Sequence, residues 1–194
     1  MSNSPSVHEM AVLVLTRHHR IKGGWRGVAG HESIAEALND ERGGLSLATA
    51  FVQELDGSRP SIMPTIALDK SQITAVVLKG IAVHQSGSDA AMAAASPGRT
   101  VVVLSVPPYM AQGDVHWRFA REIGRLGTAE AREGRSSSLP RFFELTDAWL
   151  FSSLTPLASH AALLVNRDHV TETHVLGQAS GSEGGLSDLF SGMR

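Results

Sequence analysis

The sequence predicts a β-rich α+β fold, a tandem pair of small, strongly bent antiparallel barrel-like domains with one short helix each. Three observations predict it. The two halves of the 194-residue chain open on similar aliphatic runs, AVLVLT at 11–16 and TVVVLS at 100–105. Two later segments then repeat at a near-constant offset: LATAFV at 47–52 lies over LTDAWL at 145–150, 98 residues on, and LDKSQIT at 68–74 over VNRDHVT at 165–171, 97 residues on. Each half also leaves room for one helix between its opening strand and its later hairpin.

In chain order, the opening run is a strand by its β-branched and aliphatic content. After it, Gly23-Gly24, Gly27 and Gly30 flank Trp25 and Val28, a short second strand with tight bends. Ser33 and Glu36 have the spacing of a capping box, and Ile34, Ala37 and Leu38 share one helical face. Gly43-Gly44 ends that helix, which is expected over residues 33–42. The second repeated segment reads as strand, polar turn with a basic residue, strand. In the second half, Pro107-Pro108-Tyr109 reads as a degraded second strand. Asp114 is the expected cap of a helix carrying Val115, Phe119, Ile123 and Leu126 on one face and stopping at Gly127.

The expected division is a disordered N-terminus over 1–9, a first small β-barrel-like domain over 10–85, a Ser/Ala/Gly-rich linker over 86–98, a second domain over 99–177, and a flexible tail with an apolar motif over 178–194. Residues 128–140, charged and serine-rich, read as an exposed insertion.

Composition excludes several function classes. With 17 Lys+Arg against 19 Asp+Glu the formal charge is −2, without the net cationic excess of a nucleic-acid binder. No cysteine is present, which removes disulfides, thiolate zinc sites and a cysteine nucleophile. No apolar run approaches the ~20 residues of a membrane span and residues 1–10 lack signal-peptide character, so a cytoplasmic location is expected.

The residues also resemble an uncharacterised bacterial family of small β-barrel domains of the Sm or SH3 type. That pattern has an opening strand with Thr, a Gly-bearing second strand, a helix ending near Leu-Asn, a Phe-x-x-Leu-Thr-Asp-Ala strand and a Val-Asn-Arg-Asp-His-Val hairpin. Here Thr16 and Leu38-Asn39 match it in the first half, and FFELTDA at 142–148 and VNRDHV at 165–170 in the second. The resemblance implies a small curved barrel and carries no activity; Pro107-Pro108 and the insertion after Gly127 depart from it.

Arg17-His18-His19-Arg20, with Lys22 and Arg26, is the densest titratable cluster, and alternation along a strand would gather Arg17, Arg20, Lys22 and Arg26 into an anion or nucleic-acid site. The plainer reading is a solvated edge strand whose charges discourage foreign pairing, with Trp25 the only aromatic beside it. Adjacent histidines diverge on a strand and no H-x-x-x-H spacing occurs, so no metal and no cofactor are expected. Asp168-His169 suits a turn better than a triad, and Asp147 has no second carboxylate at recognisable spacing.

The tail holds the strongest functional signal. Leu186, Leu189 and Phe190 follow a Gly/Ser/Glu linker with no local core, and burying such a side chain is worth ~1.5–3 kcal/mol. The leading expectation is a non-enzymatic adaptor or assembly component that recruits another protein through this short linear motif and forms a homo-oligomer through sheet edges. Nucleic acid and membranes are not expected partners. The alternatives are a nucleic-acid- or anion-binding Sm-like module on the basic cluster, and an enzyme with a site between the halves lined by Asp147, Asp168 or His169.

Overall fold

The computed structural model describes residues 9–27, 33–41, 44–57, 59–78, 99–126, 139–152 and 155–178. Its elements are β1 (Glu9–Thr16), β2 (His19–Arg26), α1 (Ile34–Asn39), β3 (Leu45–Glu54), β4 (Ser61–Leu68), a 3-10 turn (Lys70–Gln72) and β5 (Ile73–Leu78). They continue with β6 (Arg99–Val106), β7 (Tyr109–His116), α2 (Trp117–Ile123), β8 (Phe142–Ser152), β9 (Thr155–Asn166), a 3-10 turn (Arg167–His169) and β10 (Glu172–Gln178).

All ten strands form one antiparallel sheet in the order β10-β6-β7-β8-β9-β5-β1-β2-β3-β4. The expectation of closed barrels is therefore corrected: the sheet is open. The reason lies in β5 and β9. A first barrel would close by pairing β5 with β4, but β5 pairs with β1 on one side and with β9 on the other. A second would close β9 onto β10, and β9 already lies between β8 and β5. Each half thus uses its closing edge on the other half, and β4 and β10 are left as the two ends.

The seam decides where the cores sit, because side chains alternate between faces along a strand. Val12 and Val14 of β1, Ile73 and Val76 of β5, and Leu164 and Phe142 from the second half join Ile21, Trp25, Ile34, Leu38 and Leu47 in one apolar cluster. Leu15 of β1, Ala75 and Val77 of β5, and Leu163 and Val165 of β9 face the other way, into a cluster with Val102, Leu104, Tyr109, Phe143 and Leu145. Strands β5 and β9 are buried on both faces at the seam, and each half completes the other's core.

Both halves also carry the same bulge. The β2–β3 register shifts between Lys22 and Gly24, and the β7–β8 register between Gln112 and Asp114. The extra residue on β3 is Thr49 (φ 49°) and on β8 Asp147 (φ 47°), both in the left-handed region that non-glycine residues seldom occupy. Across from them the strands touch. A Cβ on Gly23 would lie 3.0 Å from Leu47 Cβ, and one on Gly113 2.9 Å from Leu145 Cβ, so both positions need a residue without a side chain.

Several local expectations are refined. The capping box is present, with Glu36 N donating to Ser33 Oγ (3.2 Å) and Ser33 N to Glu36 Oε2 (3.3 Å), and Ile34, Ala37 and Leu38 are buried. The helix ends at Asn39, earlier than Gly43-Gly44 suggests, because the Asn39 side chain turns to the second half and Lys70 Nζ donates to Asp40 O (2.6 Å). Asp114 does not cap α2. It sits in β7 opposite Val101 and Thr146, while His116 Nδ1 takes the capping bond from Arg118 N, and Val115 belongs to the strand. Pro107-Pro108, joined by a cis bond, makes the turn into a full eight-residue strand, so the second strand of that half is not degraded. Leu139, assigned by sequence to an exposed insertion, is buried in the second core.

Candidate interaction surface

The basic cluster does not lie on an edge strand. β2 runs between β1 and β3, so its charges do not guard an edge. Its buried side chains are Ile21 and Trp25, which places Arg20, Lys22 and Arg26 on the opposite face, as alternation predicts. Trp25, the one aromatic read beside the cluster, is buried in the first core and offers no stacking surface. Arg17 and His18 fall in the β1–β2 turn, which Thr16 braces by accepting bonds at Oγ1 from His19 N (2.9 Å) and His18 N (3.3 Å).

The four cations differ in what they meet. Arg26 Nε lies 3.3 Å from Glu9 Oε2. Arg20, half-buried with its Nε shielded from solvent, lies near Tyr109 at the start of β7, whose buried hydroxyl makes no hydrogen bond of normal geometry. Burial pushes that phenol above its ordinary value and the neighbouring guanidinium opposes the shift. Lys22 and Arg17 are exposed. Beside Arg17 an open cleft of about 310 Å³ is lined also by His18, His19, Glu54, Leu55 and Asp56. Its charges are mixed, with His19 Nε2 3.9 Å from Glu54 Oε1, so it offers no concentrated positive field.

Cross-strand register then reveals what the sequence reading missed. Leu13, Lys22, Phe51 and Ile62 stand opposite one another across β1, β2, β3 and β4, a row on one face. At the free end of that row Phe51 is 36% exposed and Ile62 74%; Met63, opposite Ala50, is 39% exposed on the other face of β4. The corresponding row of the second half is Val103, Gln112, Trp149 and Ser159, with Trp149 40% exposed. The aromatic is repeated and the lysine is not. The missed signal was the alternation of apolar side chains in β3, where Phe51 falls out of phase with Leu47 and Ala50 because the bulge at Thr49 shifts the later residues by one.

Asp147, Asp168 and His169 are not brought to a common pocket. Asp147 pairs with Arg99 (Oδ2–Nη1 3.2 Å) at the bulge. Asp168 pairs with Arg141 (3.0 Å), and His169 Nε2 lies 2.7 Å from Ser71 O, both at the seam. The residues of the recognised motifs are the seam's polar fastening. Asn39 Nδ2 donates to Phe142 O (2.9 Å) while Phe142 N donates to Asn39 Oδ1 (2.7 Å). Asn166 Nδ2 donates to Ile73 O (2.8 Å) and Lys70 O (3.3 Å), and Asp168 N donates to Asn166 Oδ1 (3.1 Å). One carboxylate neighbourhood lies elsewhere: burial raises Glu144 and Asp114 above the ordinary carboxylate range, and the Arg99 charge opposes the shift in both. Among the described residues no three His, Asp or Glu side chains gather as metal ligands.

The tail residues Leu186, Leu189 and Phe190 lie outside the described residues. Among the described residues no helix is long and apolar enough to cross a membrane. Comparison of the chain with protein-family models, curated proteins and solved structures found no match.

Proposed function

We propose that this chain is a non-enzymatic, contact-making assembly component, built from two copies of one module joined edge to edge. The duplication reading is supported by the repeated strand order, by the bulges at Thr49 and Asp147, and by the glycines facing them. The functional reading rests on one observation above all: β4, an open end of the sheet, exposes apolar side chains on both faces, Ile62 beside Phe51 on one and Met63 on the other. The titratable groups that suggested chemistry are engaged in bracing the bulge and the seam. Leu186, Leu189 and Phe190 add a second, tethered contact for another protein. Light scattering of the purified chain over a hundredfold range of concentration tests the reading. Mass should rise with concentration in the wild type and stay at that of one chain in Ile62→Lys; a wild type that stays a single chain throughout, with no protein partner retained by Leu186 to Phe190, refutes it.

A second reading has its own support, because Lys22 stands directly opposite exposed Phe51, a cation beside a stacking face. Single-stranded nucleic acid on this face would bind with an affinity that falls with added salt and is lost in Lys22→Ala and Phe51→Ala. Binding that ignores salt excludes it.

A further inference from the structure

We propose that the occupant of the β4 end is a second copy of this chain, the two β4 strands meeting antiparallel about a two-fold axis. The inference rests on the contact-protein reading above and specifies its partner. The seam shows what these edges need when they pair. There β5 and β9 bury Ala75, Val76, Val77, Leu163, Leu164 and Val165 almost completely. The free end β10 stands to β6 as β5 stands to β1: Glu172 faces Ser105 as Ala75 faces Leu15, and His174 faces Val103 as Val77 faces Leu13. Two side chains that are apolar and buried at the seam are thus replaced on β10 by a carboxylate and an imidazole, held to each other at 3.1 Å. Seating another copy on β10 in the manner of the seam would strip water from both. Charged side chains on an end strand are a known device against further pairing.

β4 has no such guard. Its eight residues, SIMPTIAL, carry no charge, so two copies meet there without like charges facing each other. Pro64 has no N–H to offer and interrupts the row of donors, so side chains on the two faces of the edge, Phe51 and Ile62 on one and Met63 on the other, hold the contact more than a long ladder does. β10 also exposes Val175 and Leu176, but Glu172 and His174 guard it, so the contact falls on β4 and the assembly closes at two copies, where head-to-tail growth would give rings or filaments.

The absence of cysteine makes the test clean. Single cysteines are placed at Ile62, Met63, Thr65 and Ala67 on β4 and at His174 on β10 of the full chain, and each variant is oxidised at low micromolar concentration. The proposal expects a covalent dimer from at least one β4 position, none from His174→Cys alone, and a solution mass of two chains that halves in Ile62→Lys. Ile62 is mostly exposed, so that change leaves the fold intact. Ladders of three or more copies that appear only when Met63→Cys and His174→Cys are combined overturn the two-fold arrangement while leaving self-association through edges standing. A single-chain mass at every concentration with no crosslink overturns this proposal, and retention of another protein by the tail would then be the surviving part of the reading it rests on.

Discussion

Replacing Asn166 by alanine should be among the most damaging polar substitutions in the molecule. The side chain is fully buried and makes three bonds across or beside the seam: Nδ2 to Ile73 O at 2.8 Å, Nδ2 to Lys70 O at 3.3 Å, and Oδ1 from Asp168 N at 3.1 Å. Alanine leaves the Ile73 carbonyl without this donor in the interior and the Asp168 amide without its acceptor near the surface. A buried group left unsatisfied costs ~1–3 kcal/mol, so the loss should total about 2–4 kcal/mol, with the Ile73 carbonyl as the larger part. For a chain of this size that corresponds to a fall in Tm of roughly 5–15 °C, since each kcal/mol moves it by about 2–4 °C. The first half supplies an internal control. Asp69 stands at the equivalent place before the first 3-10 turn, where it accepts from Ser71 N (2.7 Å) and Ser71 Oγ (2.6 Å) at an exposed position. Asp69→Ala should cost clearly less than Asn166→Ala, because at this exposed position water takes over the bonds to the freed Ser71 groups. Urea denaturation of the two variants side by side decides the matter. Equal losses, or a loss below about 1 kcal/mol for Asn166→Ala, would refute the claim that this side chain fastens the seam.

Three further expectations follow from the same geometry. Gly113→Ala should destabilise by about 1–3 kcal/mol, because the new methyl meets Leu145 Cβ at 2.9 Å and Thr146 O at 3.0 Å, and Gly23→Ala should cost less, its nearest contacts being 3.0 and 3.2 Å; thermal melts rank them. Glu144 is held above the ordinary carboxylate range by burial, so the stability linked to it is fully present below its ordinary value and is lost as pH rises through the raised one. Glu144→Gln should therefore be more stable than the wild type at neutral pH and lose that advantage toward pH 4, read by denaturation at several pH values. A protease site placed between Gln85 and Arg99 should, once cut, leave the two halves co-eluting in size-exclusion chromatography, because each core contains residues of the other half.

The sequence carried much of this fold in local signals. Ser33 and Glu36 marked the helix start because a capping box is satisfied within four residues. The offset of 98 between Leu47 and Leu145 predicted equivalent strands, and the paired bulges at Thr49 and Asp147 keep that offset. What stayed hidden was long-range. A strand has two edges, and nothing in the composition of β5 says whether its second edge turns back to β4 or goes to β9, although the nearly unbroken apolar run ITAVVL is the pattern of a strand buried on both faces. The same limit concealed the surface. The four cations were legible as a cluster, but their register against β3 was not, so Lys22 could not be set opposite Phe51 until the bulge at Thr49 was placed. Asn39 and Asn166 were visible as motif residues; that each reaches a backbone group roughly a hundred residues away was not.

Every conclusion above depends on the two halves forming one sheet across β5 and β9, and a cysteine pair tests that directly. Val76 and Leu164 are cross-strand partners on one face of the seam, with Cβ atoms expected ~4.5–5.5 Å apart. In this cysteine-free chain, Val76→Cys with Leu164→Cys should oxidise within one molecule to a disulfide seen as faster migration on a non-reducing gel, whereas Val76→Cys with Val165→Cys, whose side chains point to opposite faces, should not. Failure of the first pair to close, or equal closure of both, would contradict the seam.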